Sequence, residues 1–561
     1  MLLRMAPTFA LFILVGPILF GLWGTIEPAF GHFPALGAND FSLEPFHKLF
    51  ERPGLGTSIL LSLWTGVGTT LIALSVVALF VAGWSNTKWF TTIQHLVSPL
   101  LSVPHAAAAF GLAFLISPSG WLFRLVSPEL TGITRPPNLL ILNDPYALSM
   151  MAGLIIKEIP FLLLIVLSAL PQTNARRVSQ VAVSLGYGRV FGFLFTVWPS
   201  IYKQIRLAVF AVIAYASSVV DVAIILGPTN PAPLSPRIVS WISDPDLLVR
   251  FEASAGALLQ LGVTILALLM WWLIEKLSGA VMRRLAMHGA RYQKDIILRV
   301  TGLSVIVTAA IAIFMGLFIL GIWSIAGFWS FPNALPSDFS LDTWRQSWFG
   351  LQTPFLYTIG VGVFSTLAAI IITLACLERE ARTGNTGGSR ALLFLYLPLI
   401  VPQVGFVFGI QNFFLNFDLD GRFASLIFVH LIFVLPYVFL SLSDPWRAWD
   451  TRFSYAGLSL GASPNAVFWK IRFPMLLRAI FVACAVGFAV SIGQYLTTLL
   501  IGAGRIPTIT TEAVALASGG DRRVIGVYAF IQMLLPFLGF ALAAIIPATL
   551  FKNKRDMRAT S

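Results

Sequence analysis

The sequence predicts an all-α polytopic membrane protein with about twelve transmembrane helices. Of its 561 residues, 57% are hydrophobic and 11% are charged, whereas soluble globular proteins carry about 25% charged residues. The mean hydropathy is +0.85, and the apolar residues fall into long runs. This composition excludes a soluble enzyme, a disordered protein and a nucleic-acid binder.

Twelve segments of the chain are long and apolar enough to span a bilayer, which requires about 20 predominantly apolar residues. The first segment lacks an A-x-A-like cleavage site, and we therefore interpret it as an uncleaved helix rather than a signal peptide. The predicted spans are 9–26, 58–84, 95–116, 146–170, 207–227, 253–274, 300–325, 354–376, 392–414, 425–443, 478–501 and 524–550.

The second half of the chain repeats the first. The segment DFSLE at 40–44 recurs as DFSLD at 338–342, and Phe110-Gly111 recurs as Phe408-Gly409, both at an offset of 298. Further along, SLG at 184–186 recurs at 459–461, where the offset is 275. Each half holds six predicted spans, so the two repeats enter the membrane in the same sense and are parallel.

The duplication predicts three regions along the chain. The first repeat occupies 1–274, a basic cytoplasmic joint occupies 275–299 and the second repeat occupies 300–561. Because each repeat contributes six helices, the translocation pathway is expected to lie between the two halves.

The net charge of +13 is explained by membrane topology. Basic residues cluster at 276–299 and 552–558, and Lys and Arg are enriched in cytoplasmic loops. We therefore predict a multi-pass protein surrounded by lipid, with both termini in the cytoplasm and no nucleic-acid partner. Both cysteines lie in apolar runs, and the six histidines have no metal-ligand spacing, so neither a disulfide framework nor a metal site is predicted.

Two long basic loops occupy equivalent places, at about 171–206 and 444–478. Each contains a helix-like stretch, then a glycine, and then a basic-aromatic stretch that ends at a proline. The pattern predicts a short helix lying across the cytoplasmic face, with the glycine turning the chain at positive φ.

These loops resemble the cytoplasmic loop of binding-protein-dependent ABC transporter permeases, whose pattern is E-A-A-x3-G-x9-I-x-L-P. The glycine and the proline stand at matching spacing in both loops, but Gln180 and Tyr455 replace the glutamate. The positions matched to the family's coupling loop are Gln180, Ala182, Gly186 and Pro199 in the first loop, and Tyr455, Gly457, Gly461, Ile471 and Pro474 in the second.

The resemblance implies two fused type I importer permease domains in a bacterial inner membrane, similar to the ferric-iron and thiamine permeases. Two cytoplasmic ATPase subunits would bind the two loops and hydrolyse ATP, and a periplasmic solute-binding protein would deliver the solute. By resemblance, a thiamine-like compound or ferric iron is expected ahead of a polyamine or an oxyanion. The chain itself would catalyse no reaction and bind no cofactor, and its sequence contains no G-x4-G-K-[ST] phosphate-binding loop.

Polar residues inside the predicted spans are candidates for the pathway, because a charge in the membrane costs about 2.5–3.5 kcal/mol. Neighbouring residues on a helix point about 100° apart, so Lys157 and Glu158 each require a partner elsewhere. For this pair and for Asp221, a structural role and a pathway role both stay open. The other candidates follow two matching prolines or lie in a polar run of the eleventh span: His105, Gln403, Ser491, Gln494 and Tyr495.

A secondary transporter with twelve helices and parallel repeats is the alternative function. Such a transporter is expected to carry a basic loop between its second and third helices, but Lys88 is the one charged residue at 85–94. The long basic loops follow the fourth and tenth spans instead, which favours the ABC permease.

Overall fold

The structure is a computed structural model that describes residues 2–384 and 388–550. It is 78% helical, and the described residues contain two isolated β-bridges but no strand. This confirms the predicted all-α class. The basic segment predicted at 552–558 lies outside the described residues.

The first half contains the helices α1 to α13. They are α1 (Leu2–Ala29), α2 (Glu44–Glu51), α3 (Leu55–Trp84), α4 (Lys88–Val97), α5 (His105–Ile116), α6 (Trp121–Val126), α7 (Leu148–Ala169), α8 (Ala175–Ser184), α9 (Arg189–Thr196), α10 (Trp198–Ser218), α11 (Asp221–Leu226), α12 (Leu234–Ile242) and α13 (Val249–Met287).

The second half contains the helices α14 to α25. They are α14 (Ile296–Ile325), α15 (Asp342–Thr383), α16 (Gly388–Ile400), α17 (Gln403–Leu415), α18 (Phe423–Arg447), α19 (Arg452–Ser459), α20 (Pro464–Val467), α21 (Phe473–Met475), α22 (Leu477–Ile492), α23 (Tyr495–Gly502), α24 (Ile509–Leu516) and α25 (Arg522–Leu550).

Among the described residues, nine helices are long and apolar enough to cross a membrane. Three further pairs of helices qualify if each bent pair is taken as one span, which raises the number to twelve. The predicted number of about twelve spans therefore agrees with the upper number, in which each bent pair counts as one span. The lower number, nine, leaves the three bent pairs out.

Two predicted spans are interrupted at prolines rather than continuous. The span at 95–116 divides into α4, a 3-10 turn at Ser98–Ser102 and α5, and the span at 392–414 bends by 86° between its two helices. Pro104 and Pro402 each lie in extended backbone immediately before the second helix, because proline lacks the N–H that would continue the preceding helix.

The predicted spans at 207–227 and 478–501 are also interrupted. The first breaks between α10 and α11, and the second breaks between α22 and α23. Asp221 was expected inside the fifth span, but it is the first residue of the short helix α11. The β-branched pair Val219-Val220 precedes α11, and Gly493 precedes the second break. Valine and glycine both have a low helix propensity.

The breaks fall at equivalent positions in the two halves. His105 and Gln403, which begin α5 and α17, are separated by the repeat offset of 298. Asp221 and Tyr495 begin α11 and α23, 274 residues apart. The structure therefore contains two repeats of one helical pattern, as the sequence predicted.

The predicted basic joint at 275–299 is mostly helical rather than a loop. The helix α13 continues through Met287, and α14 begins at Ile296. The connection between the halves is therefore the short segment 288–295, named here the connector. Hydropathy missed the extension because α13 leaves the apolar region as a charged helix.

The first helix of each half packs against a helix of the other half through glycines. In α17, a Cβ added to Gly409 would lie 1.7 Å from the carbonyl oxygen of Gly21 in α1. In α5, a Cβ added to Gly111 would lie 2.9 Å from the carbonyl carbon of Gly316 in α14. Small residues let helix backbones approach closely in membranes, so the repeated Phe-Gly pairs mark the contacts that join the halves.

Candidate functional site

The residues matched to the coupling loop form similar structures in the two halves. The first segment (175–199) and the second segment (452–474) each begin with a short helix, α8 or α19, followed by a glycine with positive φ. Gly186 has φ +87 and Gly461 has φ +83. The face of the protein that carries both segments and the connector is named the loop face.

Both short helices end in a Schellman motif. In the first segment, Gly186 donates its N–H to the Val183 carbonyl at 2.9 Å and Tyr187 donates to the Ala182 carbonyl at 3.2 Å. In the second segment, Gly461 donates to the Leu458 carbonyl at 3.0 Å, and the following residue donates to the Gly457 carbonyl at 3.1 Å. This motif places its C′ residue in the left-handed region, which explains the glycine at both positions.

The remaining matched residues divide into a buried and an exposed group. Ala182 and Gly457 are buried because they face the next part of their own segment: Ala182 meets Gly192, and Gly457 meets Ile471. Gln180 and Tyr455, which replace the motif glutamate, are exposed. Pro199 lies in the first turn of α10, and Pro474 lies in α21.

Apolar side chains project from both short helices into the surroundings of the loop face. Val181, Val183 and Leu185 on the first segment are at least half exposed, and Tyr455 and Leu460 on the second are 67% and 89% exposed. A cleft of about 500 Å³ lies between α8, α9 and Ala286. Exposed apolar patches of this kind mark interaction sites.

The connector holds the first segment in place. Gly188 donates its N–H to the Arg291 carbonyl at 2.9 Å, and the Tyr292 ring stacks on Phe191 with centroids 4.6 Å apart. Asp295 accepts a hydrogen bond from the backbone N–H of Val190 at 2.7 Å. Asp295 therefore caps α9, whose own N-cap residue, Gly188, makes no side-chain capping bond.

We predict that Asp295→Ala destabilises the first segment by about 1–2 kcal/mol, the usual cost of losing an N-cap acceptor. Asp295→Asn keeps an acceptor oxygen and is expected to cost less than half as much. Limited proteolysis at 185–196 measures the opening of the segment. Equal proteolysis rates for the alanine variant and the unmodified chain would contradict the capping role.

A different carboxylate holds the second segment. Glu378, at the loop-face end of α15, pairs with Arg472 at 2.7 Å and with Arg382 at 2.6 Å. The Arg472 guanidinium also lies 4.5 Å from the centroid of the Trp449 ring. In both halves, an acidic residue from outside the segment thus supplies an anchoring contact, although the motif glutamate is absent.

Three of the four predicted pathway residues of the first half, His105, Glu158 and Asp221, meet at the break before α5. His105 Nε2 lies 3.1 Å from Glu158 Oε1, and the His105 ring contacts Tyr215 with centroids 4.6 Å apart. Asp221 lies near His105 and near Tyr495 of the second half, and its carboxylate accepts a hydrogen bond from the backbone N–H of Val222. The five side chains of His105, Glu158, Tyr215, Asp221 and Tyr495 are named the polar centre.

Lys157 points away from the polar centre. Its ammonium donates to the carbonyls of Leu100 and Leu101, at 2.9 and 3.0 Å, at the end of the 3-10 turn before Pro104. Lys157 and Glu158 thus have separate partners. For Lys157, these contacts favour a structural role, in which the ammonium binds backbone carbonyls at the break in the helix.

The predicted pathway residues of the second half form a neutral network beside the polar centre. Gln403 donates to the side-chain oxygen of Gln494 at 3.3 Å. The Ser491 carbonyl accepts a hydrogen bond from the Gln494 backbone N–H at 3.2 Å, and the Ser491 hydroxyl lies 2.8 Å from His430 Nδ1. His430 Nε2 also lies 3.0 Å from Thr498 Oγ1, so both ring nitrogens have hydroxyl partners.

Sequence reasoning missed His430, Tyr215 and the two anchoring acids. His430 is a buried ionisable residue inside a span, and the rule that selected Asp221 also selects it. The partners of Asp295 and Glu378 lie 105 and 94 residues away along the chain, and no periodicity indicates such contacts.

The repeated helices, the paired segments and the polar centre between the halves define a membrane transport subunit, and the chain belongs to the ABC transporter permeases. It is 31% identical over 509 residues to the inner membrane ABC transporter permease protein YnjC of Escherichia coli (strain K12), covering 90% of this chain and 91% of the relative. No protein-family model matches the chain.

Shorter relatives match a smaller share of the chain. The spermidine/putrescine transport system permease protein PotC homolog of Mycoplasma genitalium is 28% identical over 212 residues, which are 37% of this chain and 72% of the relative. The molybdenum transport system permease protein ModB of Mycobacterium tuberculosis is 24% identical over 181 residues, 29% of this chain and 68% of the relative. Relatives about half as long are consistent with a chain that fuses two permease repeats.

Proposed function

We propose that this chain is the translocation subunit of an ATP-driven importer, which passes a small solute from a binding protein into the cytoplasm. ATP is hydrolysed by separate ATPase subunits, and the chain itself binds no cofactor. The observation that carries the proposal is the pair of equivalent segments on the loop face, each with a Schellman glycine and exposed apolar side chains.

The paired segments favour two ATPase subunits, one on each segment. Because both segments have the same backbone geometry, two copies of one partner surface could bind them in equivalent ways. The residues matched to the coupling loop are the proposed contacts with the ATPase subunits and the proposed supports of the two segments. The proposed repeats are 1–274 and 300–561, and the basic region 275–299 joins them, with the connector linking α13 to α14 inside it.

The proposed setting is a bacterial inner membrane with the loop face in the cytoplasm. The basic residues at 276–299 support this orientation, because Lys and Arg are enriched in cytoplasmic segments. Both termini would then be cytoplasmic, and the solute-binding protein would dock on the opposite, periplasmic face. The name of the Escherichia coli relative refers to the inner membrane, and the name of the Mycoplasma genitalium relative refers to a transport system. Both names support the proposed setting.

The proposed substrate is a thiamine-like compound or ferric iron. The support is the resemblance of the fused two-repeat form to permeases for those solutes. The relatives with a named cargo are described for spermidine and putrescine or for molybdenum, so they do not distinguish among substrate classes.

The double variant Gly186→Val and Gly461→Val tests the proposal. A left-handed backbone costs L-residues about 1–2 kcal/mol each, and a β-branched side chain at positive φ is a strong outlier. Both helix ends should therefore change direction. We expect loss of ATPase co-purification and of ATP-dependent uptake in proteoliposomes.

A matched control places the same strain on the opposite face. Gly132 and Gly504 also have positive φ, at +67 and +72, with nothing within 4 Å of an added Cβ. The double variant Gly132→Val and Gly504→Val is expected to keep its ATPase. ATPase association and uptake that survive in both double variants would contradict the proposal, and uptake driven by a proton gradient without ATP would support the secondary transporter.

A further inference from the structure

We propose that the connector is a transmission element, which carries movement of the first segment into α14 and from α14 into α5, the helix that begins at the break in the predicted pathway. Since the movement is supplied by an ATPase bound to the first segment, this inference rests on the proposed function. The joint between the two repeats thereby has a mechanical role, and the two ATPase contacts are not equivalent.

The connector is folded onto the first segment rather than passing beside it. Besides the backbone, stacking and capping contacts described above, Gln293 donates from its side-chain amide to the Gly186 carbonyl at 3.1 Å. The Arg291 guanidinium lies 4.5 Å from the centroid of the Tyr187 ring. All of these connector residues lie at 291–295, immediately before α14. The first segment therefore cannot move away from the start of α14 without breaking several contacts.

The end of the connector next to α13 is less constrained. His288 and Gly289 are exposed, and Gly289 has φ +74 with nothing within 4 Å of an added Cβ. The contacts with the first segment thus lie on the α14 side of the connector. We infer that 291–295 move with the first segment and with α14, while the exposed residues beside α13 accommodate the movement.

The first turns of α14 pack tightly against α3. The Trp84 indole donates to the Arg299 carbonyl at 2.9 Å, and a Cβ added to Gly302 would lie 2.8 Å from the backbone nitrogen of Phe80. Packed interiors have low compressibility and transmit displacement. Movement at the start of α14 is therefore passed along the helix instead of being absorbed beside the connector.

Further along, α14 reaches the helix that begins at the pathway break. Gly316 of α14 and Gly111 of α5 meet backbone to backbone, with the 2.9 Å distance given above for an added Cβ. Gly111 follows His105, the first residue of α5, by about 9 Å at a rise of 1.5 Å per residue. Chains of packed groups of this kind can carry coupling between distant sites, here from the first segment to the break.

The second segment is attached in a different way. Its anchoring acid, Glu378, lies inside α15, which is itself long and apolar enough to cross the membrane, and it pairs directly with Arg472 of the segment. The anchoring acid of the first segment, Asp295, instead lies in the connector, outside any spanning helix. Loosening the connector should therefore affect the transmission from the first segment and leave the second segment attached.

The test slackens one end of the connector at a time. A flexible Gly-Ser-Gly-Ser insertion between Asp295 and Ile296 keeps the contacts of 291–295 with the first segment but loosens their link to α14, where an inserted serine can serve as the new N-cap. The same insertion between His288 and Gly289 loosens the link to α13 and is the matched control. Each chain is purified with its ATPase subunits, and thermal unfolding checks that both variants are folded.

Movement is measured as the distance between two spin labels on the opposite face, without nucleotide and after trapping with ATP and vanadate. The labels replace Leu122, beyond α5, and Phe417, beyond α17, which are 46% and 60% exposed. Cys376 and Cys484 are free cysteines and are replaced by serine, so that the labels attach at the two chosen positions. This measurement requires no transported solute.

We expect an ATP-dependent change in the distance for the uninterrupted connector, loss of most of that change for the insertion before Ile296, and its retention for the insertion before Gly289. ATPase association and ATP hydrolysis should persist in all three. A change that survives both insertions, or is lost in both, would overturn transmission through α14. A complex that binds its ATPase but shows no ATP-dependent change would overturn it as well.

A point variant replaces the insertion before Ile296 if that chain does not fold. Tyr292→Ala removes the ring stacked on Phe191 and keeps the chain length, so a partial loss of the ATP-dependent change is expected, and a full change would contradict the proposed transmission. The proposed function fails separately, if the chain with the uninterrupted connector never binds an ATPase.

Discussion

Replacing Gly409 by alanine is expected to destabilise the protein by about 3 kcal/mol, the upper part of the range for an overpacked core. The added methyl carbon would lie 1.7 Å from the Gly21 carbonyl oxygen. The oxygen belongs to the backbone and the position of the Cβ is fixed by the backbone, so no side-chain rotation relieves the overlap, and α1 must separate from α17. The measurement is thermal unfolding of the purified chain in detergent, followed by circular dichroism.

Gly405 provides the matched control on the same helix. It is also buried in α17, but an added Cβ would have its nearest neighbour, the Ala257 carbonyl oxygen, at 3.7 Å. Alanine has a better helix propensity than glycine, by about 1 kcal/mol, so Gly405→Ala should leave stability unchanged or raise it. Equal unfolding temperatures for the two variants would show that the halves do not approach at Gly409.

Composition and repetition were sufficient to predict the fold class. Long apolar runs predict spans because the bilayer fixes their length, and collinear matches such as Phe110-Gly111 with Phe408-Gly409 predict two repeats. The glycines of these matches also indicate where the two halves contact each other. These glycines lie at the closest contacts between the halves, and small residues at recurring places in spans are a known sign of helix packing.

Interrupted helices were harder to predict. Hydropathy reports the composition of a segment and not the continuity of its backbone, so the spans at 207–227 and 478–501 gave no sign of their breaks. Proline marked the other two breaks, at Pro104 and Pro402, because its missing N–H is readable from the sequence. Asp221 was selected for its charge, but its place at the start of α11 depends on packing between helices.

The anchoring of the two segments depends on contacts between distant parts of the chain. The sequence predicted each helix and glycine turn because the capping motif is local. Asp295 and Glu378 gave no such signal, since their partners lie far along the chain. The motif glutamate is absent from both segments, but each segment is still anchored. The anchoring carboxylates, Asp295 and Glu378, come from other elements and are buried at the loop face.

Replacing Glu378 by glutamine is expected to cost about 3–5 kcal/mol, the range found when one partner of a buried ion pair is removed. The substitution leaves the guanidinium of Arg472, which is 9% exposed, without its carboxylate at the base of the second segment. We therefore expect a lower unfolding temperature and weaker ATPase co-purification. Glu380→Gln is the control. Glu380 follows Glu378 by two residues in α15, and it pairs with Arg447, whose side chain is 42% exposed.

The control should change stability by less than about 1 kcal/mol, because the Arg447 side chain is exposed to solvent and can be hydrated when its carboxylate partner is lost. The double variant Glu378→Gln and Arg472→Met removes both buried charges and is expected to recover most of the lost stability, as hydrophobic replacements of buried pairs often do. It should not recover ATPase binding to the same extent, since the contacts of Arg472 with Trp449 and Ser454 are also lost. If Glu378→Gln lowered the stability no more than Glu380→Gln, the ion pair between Glu378 and Arg472 would not be what holds the second segment. The position of the segment would then depend on the apolar packing of Gly457 against Ile471.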